Sequence, residues 1–319
     1  MNIIETHALS RVYGKRRAVD NLDMCVAAGE IYGFVGKNGA GKSTAMKMIA
    51  GLVRPTSGSV ELFGAQRRAR EGFSRVGALI EDPGILPTFS ALENLMCKAL
   101  ALGVVRPNAH CRELLELVGL ADTGSLRVKK FSLGMKQRLG LALALVGGPD
   151  LLLLDEPFNG LDPESTRAMR GALVRLNRER GVTMVISSHV LDQLDRMATS
   201  FGVIRSGRMV RELSMDDLHR ECGSSIRIKT NDPARTLAIL EEALPGTALR
   251  AEPDGSILAS AAVRHAATSF GGAGVAPMAP SAEDVARSLS EHGLLILELS
   301  HVERDIEEYF VELMGGADA

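Results

Sequence analysis

Residues 36 to 44 read Gly-Lys-Asn-Gly-Ala-Gly-Lys-Ser-Thr, and no other stretch of the 319-residue chain limits the fold as sharply. A loop of the form G-x-x-x-x-G-K-[ST] works between a buried strand and a helix, where backbone N–H groups and the helix N-terminus converge on phosphate oxygens. Both flanks fit. Glu30 to Val35 is short and largely apolar, and Thr44 to Ala50 can run as a helix. Gly36, Gly39 and Gly41 free the backbone to curl. The whole run of Gly36, Lys37, Asn38, Gly39, Ala40, Gly41, Lys42, Ser43 and Thr44 is the candidate phosphate cradle. Lys42 is placed to reach the β- and γ-phosphates and the Ser43 hydroxyl to ligate Mg²⁺.

A second segment carries the complementary chemistry. Leu151 to Leu154 followed by Asp155 and Glu156 reads as a buried strand ending in two carboxylates. By itself that is equally a strand meeting a solvated loop. After a phosphate loop it is expected to support the magnesium shell through Asp155 and to polarise the attacking water through Glu156. Successive strand residues point to opposite sides, so the two acids are free to take different roles.

These residues resemble the nucleotide-binding subunit of an ATP-binding cassette (ABC) transporter, and further segments extend the likeness. Tyr13-Gly14 with Ala18-Val19 is similar to the aromatic loop that stacks on adenine. Phe131 to Arg138 resembles the family signature L-S-G-G-Q; Ser132 and Gly134 are kept, while Leu133 and Met135 replace a glycine and the glutamine. Asn159 to Asp162 fits the loop that follows, and Ser188-His189, 33 residues beyond Glu156, fits the switch histidine. The resemblance implies an α/β P-loop NTPase core with a helical subdomain, ATP and Mg²⁺ as ligands, and Lys42, Glu156 and His189 as catalytic residues.

The clearest departure is in Ile80-Glu81-Asp82-Pro83, where most members of the family carry glutamine and this chain has Glu81. Together with the altered signature, this is similar to the subgroup that serves bacitracin resistance and lantibiotic self-immunity. An anionic oxygen here is expected to act near Mg²⁺, altering metal coordination or proton transfer. Expected metal contacts are thus Ser43, Asp155 and Glu81. The plainer reading of Glu81 is a surface acid before a turn.

Charge divides the chain unevenly. Residues 1–220 hold 30 basic and 23 acidic side chains, net +7, and residues 221–319 hold 7 and 16, net −9. An acidic second half argues against a nucleic-acid partner, which needs clustered Lys and Arg. Arg67-Arg68-Ala69-Arg70 is the densest basic run and reads as solvated surface. The longest apolar stretch, Leu139 to Leu154, is broken at Gly147-Gly148-Pro149-Asp150 and falls short of a bilayer span. The N-terminus lacks the basic and apolar regions of a signal peptide. The expectation is a cytoplasmic chain, peripheral to the membrane through a separate integral-membrane permease. Cys25, Cys97, Cys111 and Cys222 show neither C-x-x-C nor metal-finger spacing and read as reduced thiols.

Two domains are expected, an ATP-binding domain over 1–220, helical at about 85–150, and a small C-terminal α+β domain over 221–319. Gly51, Pro55 and Gly58 read as turns, and Ser90 to Glu93 as a capping box. Beyond Arg220, a strand at Ser225 to Lys229 and a helix from Pro233 to Leu244 are expected. An Ala/Gly/Pro-rich connection runs from Ala261 to Pro280, then come a helix from Ser281, a strand at Leu294 to Leu297 and a last helix on Ile306, Phe310 and Leu313. The order resembles β-α-β-β-α-β plus a terminal helix, with uses in dimer support, permease contact or regulation. The family completes each ATP site from two chains, so Ser132 and Gly134 are expected to face the phosphate of a second copy.

The leading expectation is the ATPase subunit of an exporter of peptide antibiotics. A multidrug or lipid exporter is the alternative within transport. A soluble ATPase acting on ribosomes or DNA usually joins two cassettes or inserts coiled coils, and neither occurs here. A nucleotide-binding regulator without hydrolysis conflicts with intact Lys42, Asp155, Glu156 and His189.

Overall fold

The computed structural model describes residues 1–66, 75–222, 225–245, 247–261, 281–302 and 306–315. The basic run at 67–70 and nearly all of the 261–280 connection lie outside them. Two compact units emerge, Met1–Ser214 with Phe310–Ala319, and Met215–Tyr309. The first begins with β1 (Asn2–Tyr13), β2 (Arg16–Ala27), β3 (Ile31–Val35), α1 (Lys42–Ala50), β4 (Ser57–Leu62), β5 (Ala65–Gln66) and β6 (Val76–Leu79). Helices α2 (Ala91–Ala101), α3 (Pro107–Leu117) and α4 (Leu133–Leu145) follow, then β7 (Leu151–Asp155), α5 (Pro163–Arg180), β8 (Thr183–Ser188), β9 (Ser200–Arg205) and β10 (Arg208–Ser214).

Six strands form the central sheet in the order β10-β9-β3-β8-β7-β6, parallel except for β10. Parallel strands covered on both faces are apolar throughout, which is how β3 and Leu151–Leu154 of β7 read and how they are buried. A separate antiparallel sheet runs β2-β1-β4-β5. One core joins Leu9, Val19 and Val26 of that sheet to Met46 and Ile49 of α1 and to Phe34, Leu153 and Val185 of the parallel sheet. Helix α1 therefore has apolar partners from both sheets, and this fixes the helix that leaves the phosphate loop.

Local signals settle several helix starts. Ser90 Oγ accepts from Glu93 N and the Glu93 carboxylate accepts from Ser90 N, so the expected capping box is present at α2. Ser132 caps α4 and Asp162 caps α5. Gly51 ends α1 in a left-handed conformation, as a turn glycine does. Gly58 is different from its expectation: it lies inside β4 with φ +82°, and a Cβ there would come within 2.3 Å of the Ala8 carbonyl oxygen. Close approach of β1, rather than a turn, requires that glycine.

The second unit holds α6 (Met215–Glu221), β11 (Ser225–Thr230), α7 (Pro233–Ala243), β12 (Thr247–Ala251), β13 (Ile257–Ala261), α8 (Ala282–Glu291) and β14 (Ile296–Val302). Its sheet order is β12-β13-β11-β14, all neighbours antiparallel. Ile226, Ile228, Leu240, Val285 and Leu289 form its core. The element order after α6 is β-α-β-β-α-β; β14 starts at Ile296, two residues later than Leu294. The last helix, α9 (Ile306–Leu313), contains the division at Tyr309, and the chain beyond it groups with the first unit.

One buried contact ties β3 to β10 and β2. Tyr32, almost fully buried, donates its hydroxyl to Glu212 Oε1 on β10 at 2.5 Å, and Cys25 N donates to the same oxygen. A side chain on Gly202 would collide with the Tyr32 hydroxyl, its Cβ only 1.9 Å away. Burial pushes the Glu212 carboxyl above its ordinary value, with Glu30 and Asp23 adding to the rise, while the bonds from Tyr32 and Cys25 act against it. A carboxyl raised by folding binds its proton more tightly in the folded state, so its ionised form costs stability above the raised value and the cost fades as pH falls. Glu212→Gln keeps the acceptor without the charge. It should melt at a higher temperature than wild type at pH 8, with the advantage shrinking toward pH 5; a lower melting temperature at pH 8 would contradict this account.

Candidate functional site

Three adjacent strands of the parallel sheet, β3, β8 and β7, end side by side, and each delivers one part of the site. The loop after β3 carries Lys42, the residue after β8 is His189, and the residue after β7 is Glu156. Such a crevice beyond the carboxyl ends of parallel strands is where open α/β sheets bind ligands.

The loop is clamped before it reaches α1. Gly207 N donates to Ala40 O at 2.8 Å, and Asp20 N donates to Gly207 O at 2.8 Å. Gly41 has φ +113°, and a Cβ on it would come within 2.4 Å of the Ala18 carbonyl oxygen, so only glycine fits. Asp20 accepts from Arg17 and Arg208, and those bonds hold its carboxyl below the usual range.

Lys42 is buried, with 5% of its side chain exposed. Its ammonium donates to Gly36 O at 2.6 Å and lies 3.2 Å from Glu156 Oε1. The other oxygen of Glu156 lies 2.8 Å from His189 Nδ1, and since a carboxylate only accepts, Nδ1 carries the proton in this contact. Glu156 has φ +47°, a conformation most side chains avoid, so the backbone turn that aims it is strained. Asp155 points elsewhere. Its Oδ1 accepts from Ser187 Oγ at 2.6 Å, and the same hydroxyl accepts from Glu156 N at 2.8 Å. Ser187, fully buried on β8 opposite Asp155, thereby orients both acids. Sequence reasoning passed over it because the partner lies 32 residues away in another strand.

A cavity of about 370 Å³ is lined by Tyr13, Arg16, Ala18, Asn38, Gly39, Gly41, Lys42, Ser43, Thr44 and Glu156. The expected adenine-stacking Tyr13 thus meets the phosphate loop. Its ring is backed by the Arg11 guanidinium at 4.5 Å, and it is 45% exposed. Arg16 was not anticipated; it adds positive charge at the same cavity and donates to Gly39 O at 3.4 Å. Gly36, Lys37 and Ala40 do not line this space.

A neighbouring cavity of about 350 Å³ is lined by Glu81, Leu133, Gln137, Asp155, Glu156, Asn159 and Gly160. Glu156 is common to both. Glu81, with φ +61°, places its carboxylate on the Lys47 ammonium at 2.5 Å, so a cation already holds the acid expected near Mg²⁺. Ser132 and Gly134 line neither cavity. Ser132 Oγ accepts from Met135 N at 3.2 Å, and Gly134 is buried, where a Cβ would come within 2.9 Å of Ser165 Oγ.

Among the described residues no helix is long and apolar enough to cross a membrane. A family model described as ABC transporter matches residues 19–159. The chain is 36% identical over 316 residues to the bacitracin transport ATP-binding protein BcrA of Bacillus licheniformis, covering 98% of each. It is 39% identical over 214 residues to the lantibiotic transport ATP-binding protein SrtF of Streptococcus pyogenes, covering 67% of this chain and 92% of that one. A solved ATP-binding subunit of an ABC transporter matches with a TM-score of 0.61 at 30% identity, over 69% of this chain and 93% of its own. A likeness that runs from end to end, with the phosphate loop and its acids assembled at one crevice, places this chain in the ABC transporter family of ATP-binding proteins.

Proposed function

We propose that the chain is the Mg²⁺-dependent ATPase of an exporter that clears peptide antibiotics of the bacitracin or lantibiotic type, working with a separate integral-membrane permease. The observation that carries the ATPase reading is the Lys42–Glu156–His189 network at the mouth of the phosphate loop. The antibiotic reading is supported by full-length similarity to BcrA and by similarity to SrtF over the ATP-binding part.

In this reading Tyr13 stacks on adenine, and the loop from Gly36 to Thr44 cradles the phosphates. Phosphate oxygens take the Lys42 ammonium from Glu156 and Gly36 O. Glu156, kept in place by His189, is then free to accept a proton from the attacking water, and His189 steadies the γ-phosphate side. The Ser43 hydroxyl, lining the phosphate-loop cavity, and the Asp155 carboxylate, lining the neighbouring one, are hard oxygen donors whose chemistry suits Mg²⁺. Mg²⁺ held there would neutralise charge on the β- and γ-phosphate oxygens. Glu81 would be available to the same ion only once released from Lys47.

Ser132 and Gly134 stand at the start of α4, where exposed N–H groups favour an anion, but away from the chain's own phosphate cavity. This supports completion of each site by a second copy, a homodimer, with the permease joined to the pair at the membrane face. Turnover should therefore rise faster than linearly with protein concentration. Glu156→Gln should keep ATP binding and lose turnover by roughly 10²-fold or more; a wild-type rate would remove Glu156 from the chemistry. Ser187→Ala should lower kcat about tenfold with little change in KM, since the hydroxyl orients acids and touches no substrate. For the cargo, co-expression with a candidate permease should raise resistance to bacitracin or a lantibiotic in the wild type and not in the Glu156→Gln variant. Equal sensitivity of both, with resistance to a lipophilic drug instead, would favour the multidrug alternative.

A further inference from the structure

Phe310–Gly315 group with the unit that carries the phosphate loop. Phe310 is 1% exposed, and its ring meets that of Phe201 edge-on, with centroids 5.4 Å apart and planes at 66°. Phe201 is fully buried on β9. Its ring also occupies the space a Cβ on Gly33 would need, 2.7 Å away, so β9 lies directly against β3. Where β3 opens into the phosphate loop, a Cβ on Gly36 would come within 2.5 Å of the Ile204 carbonyl oxygen. Phe310, β9 and the strand beneath the loop are thus stacked without slack.

A second contact reaches the loop itself. Lys37, its second residue, donates from Nζ to Gly315 O at 3.2 Å. Gly315, with φ +89°, also lies beside Arg205, with its would-be Cβ 3.5 Å from that side chain's Cδ. Lys37 is absent from the lining of the nucleotide cavity, although its place in the motif suggests phosphate contact. Its ammonium faces Gly315 instead.

We propose that the terminal segment Phe310–Gly315 is a positioning element for the phosphate loop, bracing its floor through Phe201 and its outer edge through Lys37. This deepens the ATP-binding reading and rests on it. Cradle N–H groups bind phosphate only when the loop is already curled, and a brace that presets the curl removes part of the ordering cost from each binding event. The segment contributes no group to the reacting atoms, so its effect falls on nucleotide affinity and leaves the chemical step in place.

The test is a double-mutant cycle on the full-length protein, with trinitrophenyl-ATP fluorescence for affinity and steady-state ATPase for kcat and KM. The variants are Lys37→Ala, a chain ending at Tyr309, and both together. Each single change should weaken trinitrophenyl-ATP binding about three- to tenfold, the scale of one charge-assisted hydrogen bond partly open to water. The double variant should bind no more weakly than the shortened chain, because both changes break one brace. The kcat of the shortened chain at saturating ATP should stay within about twofold of wild type, since only the ground-state fit is loosened. Fully additive losses would show that Lys37 acts on phosphate directly and would overturn the proposal. So would a lowered melting temperature with unchanged affinity. If the shortened chain fails to fold, Phe310→Ala tests the floor contact alone: it should weaken trinitrophenyl-ATP binding about three- to tenfold, with Lys37→Ala adding to the loss, and unchanged affinity would overturn the proposal. A wild-type chain that binds no trinitrophenyl-ATP would sink the ATP reading and this inference with it, whereas tight wild-type binding with additive losses would sink this inference alone.

Discussion

The buried ammonium of Lys42 is the interaction on which the site is built. A lysine charge with 5% of its surface in water is costly unless paired, and here the Gly36 carbonyl and the Glu156 carboxylate supply the partners. Placing them within reach requires three strand ends in register, a glycine at Gly41 that passes under the Ala18 carbonyl, and a strained backbone at Glu156. The pairing also suits the proposed mechanism. There a triphosphate offers Lys42 better anions than Glu156 does, so binding would itself free the proposed base. Ground-state pairing and the proposed catalysis would use the same two side chains in succession.

A second constraint is that the proposed machinery does not all converge within one chain. The phosphate loop and its acids converge, while Ser132 and Gly134 sit at a helix start that lines neither cavity. The acid at position 81 follows the same pattern of parts held in readiness, since Lys47 neutralises it beside the cavity that Asp155 and Glu156 share. Each element is placed by local geometry and is one displacement away from its proposed task. Such an arrangement suits a motor whose cycle is driven by nucleotide arrival and departure.

Legibility in the sequence tracked the range of the interactions. The phosphate loop, the Leu151–Asp155 strand, the capping box at Ser90 and Glu93, and the strand and helix order after Ser225 are local patterns, read from residues within a few positions of one another. Tyr13 and His189 could be placed only through the family spacing, and both line up with the loop and with Glu156 as that spacing implies. Ser187, Arg16 and the hold of Lys47 on Glu81 were missed because each is defined by a partner in another element. The terminal contact is the extreme case, with Lys37 and Gly315 separated by 278 positions. No periodicity or spacing reports such a pair. The same limit shows at Gly58, where the residue type was read as a turn and the cause is the approach of a distant backbone.

The central claim is that nucleotide displaces Glu156 from Lys42 and leaves it on His189. A high-resolution structure of the Glu156→Gln chain with ATP and Mg²⁺ tests this most directly. The account predicts Lys42 Nζ on phosphate oxygens, the substituted side chain still against His189, and two chains facing each other with Ser132 at the partner's γ-phosphate. A structure in which Lys42 keeps its bond to Gly36 O while nucleotide lies elsewhere would contradict it.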